Sequence, residues 1–165
     1  MWNYIYVFLI AMVPLIELRG AIPVAYTIKA TMENPENFNL VLAYIVIALG
    51  NMVPVPLIFF FARRVLEWGK DKKVIGRFFT WCLKKGEKGG QKLQAKAGHG
   101  LYIALLLFVG IPLPGTGAWT GTLAASFLDM DFKKSVMAVM GGVVLASVIV
   151  GVVCTLGFGA IFGIQ

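Results

Sequence analysis

Residues 14–23 read PLIELRGAIP. A glutamate, an arginine, a glycine and two prolines stand between apolar stretches near the start of the chain. A Glu or Arg at the centre of a bilayer costs about 2.5–3.5 kcal/mol on insertion scales, so such residues face a partner or a cavity. Glu17 and Arg19 are two apart and would point to different faces of a regular helix. A break at Arg19-Gly20 would bring them together or aim both at one cavity. Arginine can hold a phosphate or carboxylate through two parallel hydrogen bonds. A buried carboxyl favours its protonated form, which makes Glu17 a candidate gate or proton carrier. The plain alternative is a structural ion pair that holds a turn closed.

Lipid as the surrounding solvent follows from the rest of the chain. Its 165 residues suit one domain, 59% of them are apolar and 14% charged, against about 45–50% and 25% in soluble domains. Leu40–Ala62 and Val136–Ile164 carry no charge, and at ~1.5 Å per residue each can cross a hydrocarbon core of ~30 Å. Trp2–Ile16 has no basic start and no small-residue cleavage site, so the N-terminus is expected to be retained. Cys82, Cys154 and the single His99 give no disulfide or metal pattern.

The charge is concentrated. Arg63–Lys96 holds eleven Lys or Arg against Glu67, Asp71 and Glu87, and the whole chain carries +7. The segment lacks a base-reading motif, so no nucleic-acid partner is expected. The positive-inside rule makes residues 67–98 a cytoplasmic connector between two membrane halves, residues 1–66 and 99–165, in a single membrane domain. Within it Val74, Ile75, Phe78, Phe79 and Cys82 share a helical face ringed by basic residues, which suits an amphipathic helix on an anionic leaflet. Gly86–Gly90 reads as a joint.

The halves repeat one design: an interrupted apolar stretch, a short polar turn, then a long apolar helix. Pro14-Leu15 lies over Pro112-Leu113. With the connector inside, Leu40–Leu66 runs inward to Arg63-Arg64, and the acidic turn Met32–Asn39 is outside. Lys133-Lys134 put the second turn inside. His99–Leu128 then enters and returns from the cytoplasm, and Trp2–Thr31 does so from outside. The expected fold is all-α: an inverted repeat of two re-entrant helical hairpins plus two long transmembrane helices. The competing topology makes each interrupted stretch a full span with a kink. Lys133-Lys134 and the Pro and Gly at the breaks favour hairpins.

The second break runs Ile111 to Gly121, IPLPGTGAWTG. Pro112 and Pro114 end the incoming helix, and Gly115 and Gly117 allow sharp turning. The outgoing helix starts around Thr116–Ala118, where its first amides lack internal partners. With the Thr116 and Thr120 hydroxyls these amides make an anion site. A bent helix with its donors satisfied internally is the alternative. Facing tips would set Arg19 and Gly20 opposite Gly115–Gly121 around a midplane pocket for a negatively charged group.

Trp119 could pack over that pocket, and Asn51 could line it or bond between helices. Lys29 is expected to snorkel. Ser147/Gly151 and Gly159/Gly163 have the spacing of tight helix packing or of a homodimer. No Gly-Lys-Ser/Thr loop calls for a nucleotide cofactor, and no nucleophile–base pair or metal ligand set points to an enzyme.

ELRGAIP and PLPGTGAWTG resemble the paired motifs of the small multi-drug export protein family, over nearly the whole chain. That family is similar to the DedA superfamily, whose members carry two inverted re-entrant hairpins with intramembrane Glu and Arg. Some DedA members are implicated in returning undecaprenyl phosphate across the membrane. The resemblance makes Glu17 and Arg19 the charged motif residues, and Pro114-Gly115 the Pro-Gly of the hairpin. Thr116 stands where DedA proteins usually have an acid, and their second arginine motif is absent. The expectation is an inner-membrane transporter of an anionic substrate, such as a lipid phosphate, driven by protons or the membrane potential. A small-molecule exporter and a non-transporting scaffold are the alternatives.

Overall fold

The computed structural model describes residues 2–14, 16–69, 100–113 and 115–162. The described residues form helices and turns without a strand. In chain order the helices are α1 (Trp2–Met12), α2 (Glu17–Thr31), α3 (Leu40–Met52), α4 (Pro54–Gly69), α5 (Gly100–Gly110), α6 (Ala118–Phe127) and α7 (Phe132–Phe162). A 3₁₀ turn, Pro35–Asn37, joins α2 to α3. Pro114, His99, Gly86–Gly90 and the apolar face from Val74 to Cys82 lie outside the described residues.

Helix length divides these elements into two kinds. Leu40–Ala62 and Phe132–Gly157, with mean hydropathies of 2.2 and 2.6, are long and apolar enough to cross a membrane. Helices α1, α2, α5 and α6 have 11, 15, 11 and 10 residues. At ~1.5 Å per residue none of the four reaches across ~30 Å of hydrocarbon. The stretch expected as one helix over Leu40–Leu66 is two in close succession. Val53 still donates to Leu49 at 3.2 Å, but Pro54 and Pro56 have no amide to donate, so the ladder is interrupted there, and α4 continues past Leu66 to Gly69. Asn39 and Asp131 start α3 and α7 as caps, accepting from the amides of Leu42 at 3.2 Å and Lys134 at 2.9 Å.

The first half folds back on itself. At the start of α1, Asn3 Nδ2 donates to Met32 Sδ at 3.4 Å, and the Tyr4 hydroxyl accepts from the Asn39 amide at 2.8 Å. The Tyr4 ring stacks on Phe38 with centroids 4.8 Å apart. The start of α1 and the end of α2 therefore lie at one level. In the second half, Lys134 Nζ sits 5.8 Å from the Tyr102 ring centroid, so α5 and α7 start at one level.

The packing of the halves is reciprocal. Helix α1 packs on α3 and α5 on α7, while α2 reaches across to α7 and α6 to α4. Close approach needs glycine on each long helix. A Cβ on Gly50 would fall 2.6 Å from the Phe8 carbonyl oxygen, and one on Gly142 2.7 Å from that of Leu106. Phe8 and Leu106, like Tyr4 and Tyr102, are separated by the spacing that relates Pro14 to Pro112. Each crossing helix is tied by a hydroxyl: Tyr26 Oη to Thr155 Oγ1 at 2.7 Å, and Ser126 Oγ to the Phe59 carbonyl at 2.7 Å.

The core runs through Ala11, Ala21, Ile47, Val109, Ala125 and Val143. Outside it, Val41, Ile45 and Leu49 on α3 and Val144, Val148, Val152 and Leu156 on α7 are each more than half exposed. These positions recur every four residues and form continuous apolar stripes. Water would make such stripes an aggregation surface, whereas lipid tails solvate them without cost.

Candidate functional site

The two breaks meet. Helix α2 begins at Glu17, whose backbone lies in the left-handed region with φ +50°, and whose side chain is only 4% exposed. Its carboxylate crosses to the second break. Oε1 accepts the Trp119 amide at 3.0 Å and Oε2 accepts the Ala118 amide at 3.2 Å. These are the first amides of α6, which have no partner within the helix and carry the positive end of its dipole. A carboxylate from the other half of the chain thus caps α6.

Gly117 makes the cap possible. Its φ of +140° and ψ of −175° belong to a region open in practice only to glycine. A Cβ there would fall 2.2 Å from Glu17 Oε2. The carboxylate occupies the space that any other residue would fill.

Arg19 serves the opposite helix end. Its guanidinium donates to the carbonyl of Leu113, to that of Ile111 at 3.3 Å, and to that of Val109 at a long 3.5 Å. It also donates to Thr116 Oγ1 at 2.7 Å. The Thr116 hydroxyl lies 3.0 Å from the Ile111 carbonyl and 2.9 Å from that of Leu113. The Ile111 and Leu113 carbonyls follow the negative end of α5, and each also accepts a turn amide, from Leu113 at 2.8 Å and Thr116 at 3.2 Å. Each charge therefore meets a helix end of opposite sign.

A cavity of about 460 Å³ opens between the breaks. Glu17, Arg19, Gly115, Thr116, Trp119 and Thr120 line it, with apolar walls from Pro14, Pro112, Leu113 and Leu123. Of the other residues singled out in the sequence, Gly117 touches the Glu17 carboxylate, Gly20 packs on Ile16, and Gly121 packs on Val109 and Leu105. Asn51 is fully buried on α3, both its amide atoms lack hydrogen-bond partners, and it does not line the cavity. Pro114 lies outside the described residues.

Sequence reasoning missed the carbonyls of Val109, Ile111 and Leu113 as partners of Arg19. The signal was present: prolines that end a helix leave its last carbonyls with spare acceptor capacity, as they leave amides unmet at the next start. It also missed the direct engagement of Glu17 with the α6 amides.

The family model described as "Putative small multi-drug export protein" matches residues 17–149. The chain belongs to that family. Its matched region begins at Glu17 and takes in the whole of the second break. No curated protein and no solved structure matches the chain. Membership and the two apolar spans together make it a membrane protein.

Proposed function

We propose that this family member is a transporter of the inner, cytoplasmic membrane that moves an anionic substrate, coupled to protons or the membrane potential. In this proposal α1–α2 and α5–α6 are re-entrant hairpins, entering from opposite faces as an inverted repeat, with residues 67–98 on the cytoplasmic side. Support comes from the four short helices, from the fold-back of α1 on α2, and from the reciprocal packing of α2 on α7 and α6 on α4. By its resemblance to DedA proteins, the substrate we propose is a lipid phosphate such as undecaprenyl phosphate.

The observation that carries the proposal is the cavity itself. It has a guanidinium on one wall and the amide end of α6 beside another, with threonine hydroxyls between. Such a site favours an oxyanion. The test is flux of an oxyanion, free or lipid-borne, in proteoliposomes. Arg19→Lys keeps the charge but cannot span Ile111, Leu113 and Thr116, and is expected to lose transport while the protein still inserts and remains monodisperse. Unchanged flux in that variant overturns the anion site.

A second function is favoured by the Glu17 carboxylate, the Trp119 ring and the apolar walls around one space. That combination suits a lipophilic cation and accords with the family's export name. Cation export that needs Glu17 and ignores Arg19 would select it. Absence of flux for both ligand classes would leave a membrane scaffold.

A further inference from the structure

We infer that Glu17 is a tethered occupant of the anion site, and that an external oxyanion takes the Ala118 and Trp119 amides only as Glu17 takes up a proton. This rests on the anion-transport proposal above and specifies its coupling.

The amides at the start of α6 are the strongest feature an anion could use there, and they are already taken. One carboxylate oxygen faces each amide, at 3.0 and 3.2 Å. That is the two-oxygen grip a phosphate, sulfonate or carboxylate head would use. Gly117 lacks the Cβ that would otherwise lie 2.2 Å from Oε2, so the backbone is shaped around an oxyanion rather than around its own side chain.

Two anions cannot share that helix end, because like charges raise each other's cost where water is scarce. The guanidinium of Arg19 keeps its charge, but it does not sit on the α6 amides where a second anion would bind. It is held on Leu113, Ile111 and Thr116, at the negative end of α5. Arg19 is also the other charged residue lining the cavity. On the helices packed against α2, Tyr44 meets Tyr26 further along α2, and Cys154 lies beside Tyr44. Tyr4 is at the far end of α1, Tyr6 is exposed, and Lys133 and Lys134 are exposed at the start of α7. Arg19 apart, none of these shares the cavity with the carboxylate, so Glu17 is the group that changes charge.

The exchange balances. A hydronium ion at the cavity mouth gives its proton to a Glu17 oxygen, one O–H bond breaking as the other forms, and leaves as water. The two N–H donors pass from that carboxyl to the incoming oxyanion. For a monoanion the net charge of the site is unchanged. The cavity of about 460 Å³ equals roughly fifteen waters at ~30 Å³ each, which is room for an oxyanion head and for the displaced carboxyl together.

The experiment measures proton uptake on ligand addition to the full-length protein in weakly buffered phosphatidylcholine vesicles. Two probes keep their own charge fixed at neutral pH: sulfate, as a free oxyanion, and a diacylglycerol with a sulfonate head, as a lipid-borne one. Wild-type protein is expected to take up one proton per oxyanion bound. Glu17→Gln is expected to bind with no proton uptake and a flat pH profile. Uptake with sulfate supports a free-oxyanion substrate, and uptake with the sulfonate lipid alone supports a lipid one. Wild-type binding without proton uptake overturns the inference and leaves anion transport standing. No binding of either probe removes both. The wild-type result decides by itself, so a Glu17→Gln protein that fails to fold does not spoil the test.

Discussion

Gly117→Ala probes the junction of the two halves through a single methyl group. Two costs follow from its geometry. The backbone at φ +140°, ψ −175° is almost closed to alanine, which makes the strain about 1–3 kcal/mol. The new Cβ would also lie 2.2 Å from Oε2 and 2.8 Å from both Cδ and Oε1 of Glu17, so the carboxylate must leave. Losing two hydrogen bonds to a charged group removes about 1.5–3 kcal/mol each. The single variant should therefore lose roughly 4–9 kcal/mol, enough to unfold most domains. Glu17→Ala alone forfeits the two bonds but not the backbone strain. If the carboxylate and the Cβ compete for one space, Gly117→Ala in the Glu17→Ala background costs only the strain. The double variant is then about as stable as Gly117→Ala alone, with a coupling of roughly 3 kcal/mol or more. Denaturant unfolding in mild detergent, followed by circular dichroism, completes the cycle. Costs that add to within about 0.5 kcal/mol would show that the two residues do not contact each other.

Other contacts make smaller predictions. Tyr26→Phe removes the hydroxyl that meets Thr155 Oγ1 at 2.7 Å and Tyr44 Oη at 3.3 Å; it should cost about 0.6–1.7 kcal/mol, read as a lower thermal midpoint, and no shift would mean the hydroxyls do not join α2 to α7. Gly50→Leu sets a side chain against the Phe8 carbonyl and Ala11; overpacking should cost about 1–3 kcal/mol and lower the detergent unfolding midpoint, whereas an unshifted midpoint would refute the close approach of α1 and α3. Asn51→Leu replaces two buried, unpartnered polar atoms and should stabilise the protein by about 1 kcal/mol; a loss instead would mean that the amide has a partner.

The membrane-length helices were legible because hydropathy integrates over 20 or more residues. The breaks were legible because proline and glycine act locally. Hydropathy alone does not show that Pro54 and Pro56 each remove an amide from the ladder and divide α3 from α4. The convergence of Glu17 on α6 could not be read from spacing. Its partners are backbone amides about a hundred positions away, and any sequence offers amides everywhere. Only the order of breaks and the sign of each helix end narrow the choice. Asn51 illustrates the opposite failure. An amide in an apolar helix invites a site assignment, but its direction depends on which face α3 gives to α1, and that is set by Gly50 against Phe8.

Helix polarity gives the sharpest test of why these charges sit where they do. A buried Glu and Arg each cost about 2.5–3.5 kcal/mol in the bilayer. A direct ion pair would offset that cost equally well with the two residues exchanged. Here the offset comes from backbone: N–H groups of α6 for Glu17, and carbonyls after α5 for Arg19. A charge near the matching helix end gains up to ~2 kcal/mol, and its hydrogen bonds add about 1.5–3 kcal/mol each. Helix direction is fixed, so neither term survives reversal. The exchange Glu17→Arg with Arg19→Glu keeps net charge, composition and hydropathy. It nevertheless sets a cation against amides and an anion against carbonyls, and leaves the Ala118 and Trp119 amides without an acceptor. The swapped protein is expected to insert but fail to give a monodisperse, cooperatively unfolding species, as measured by size exclusion and circular dichroism in detergent. If it is instead as stable as the wild type, the two side chains compensate each other, and the broken helices owe nothing to the charges beside them.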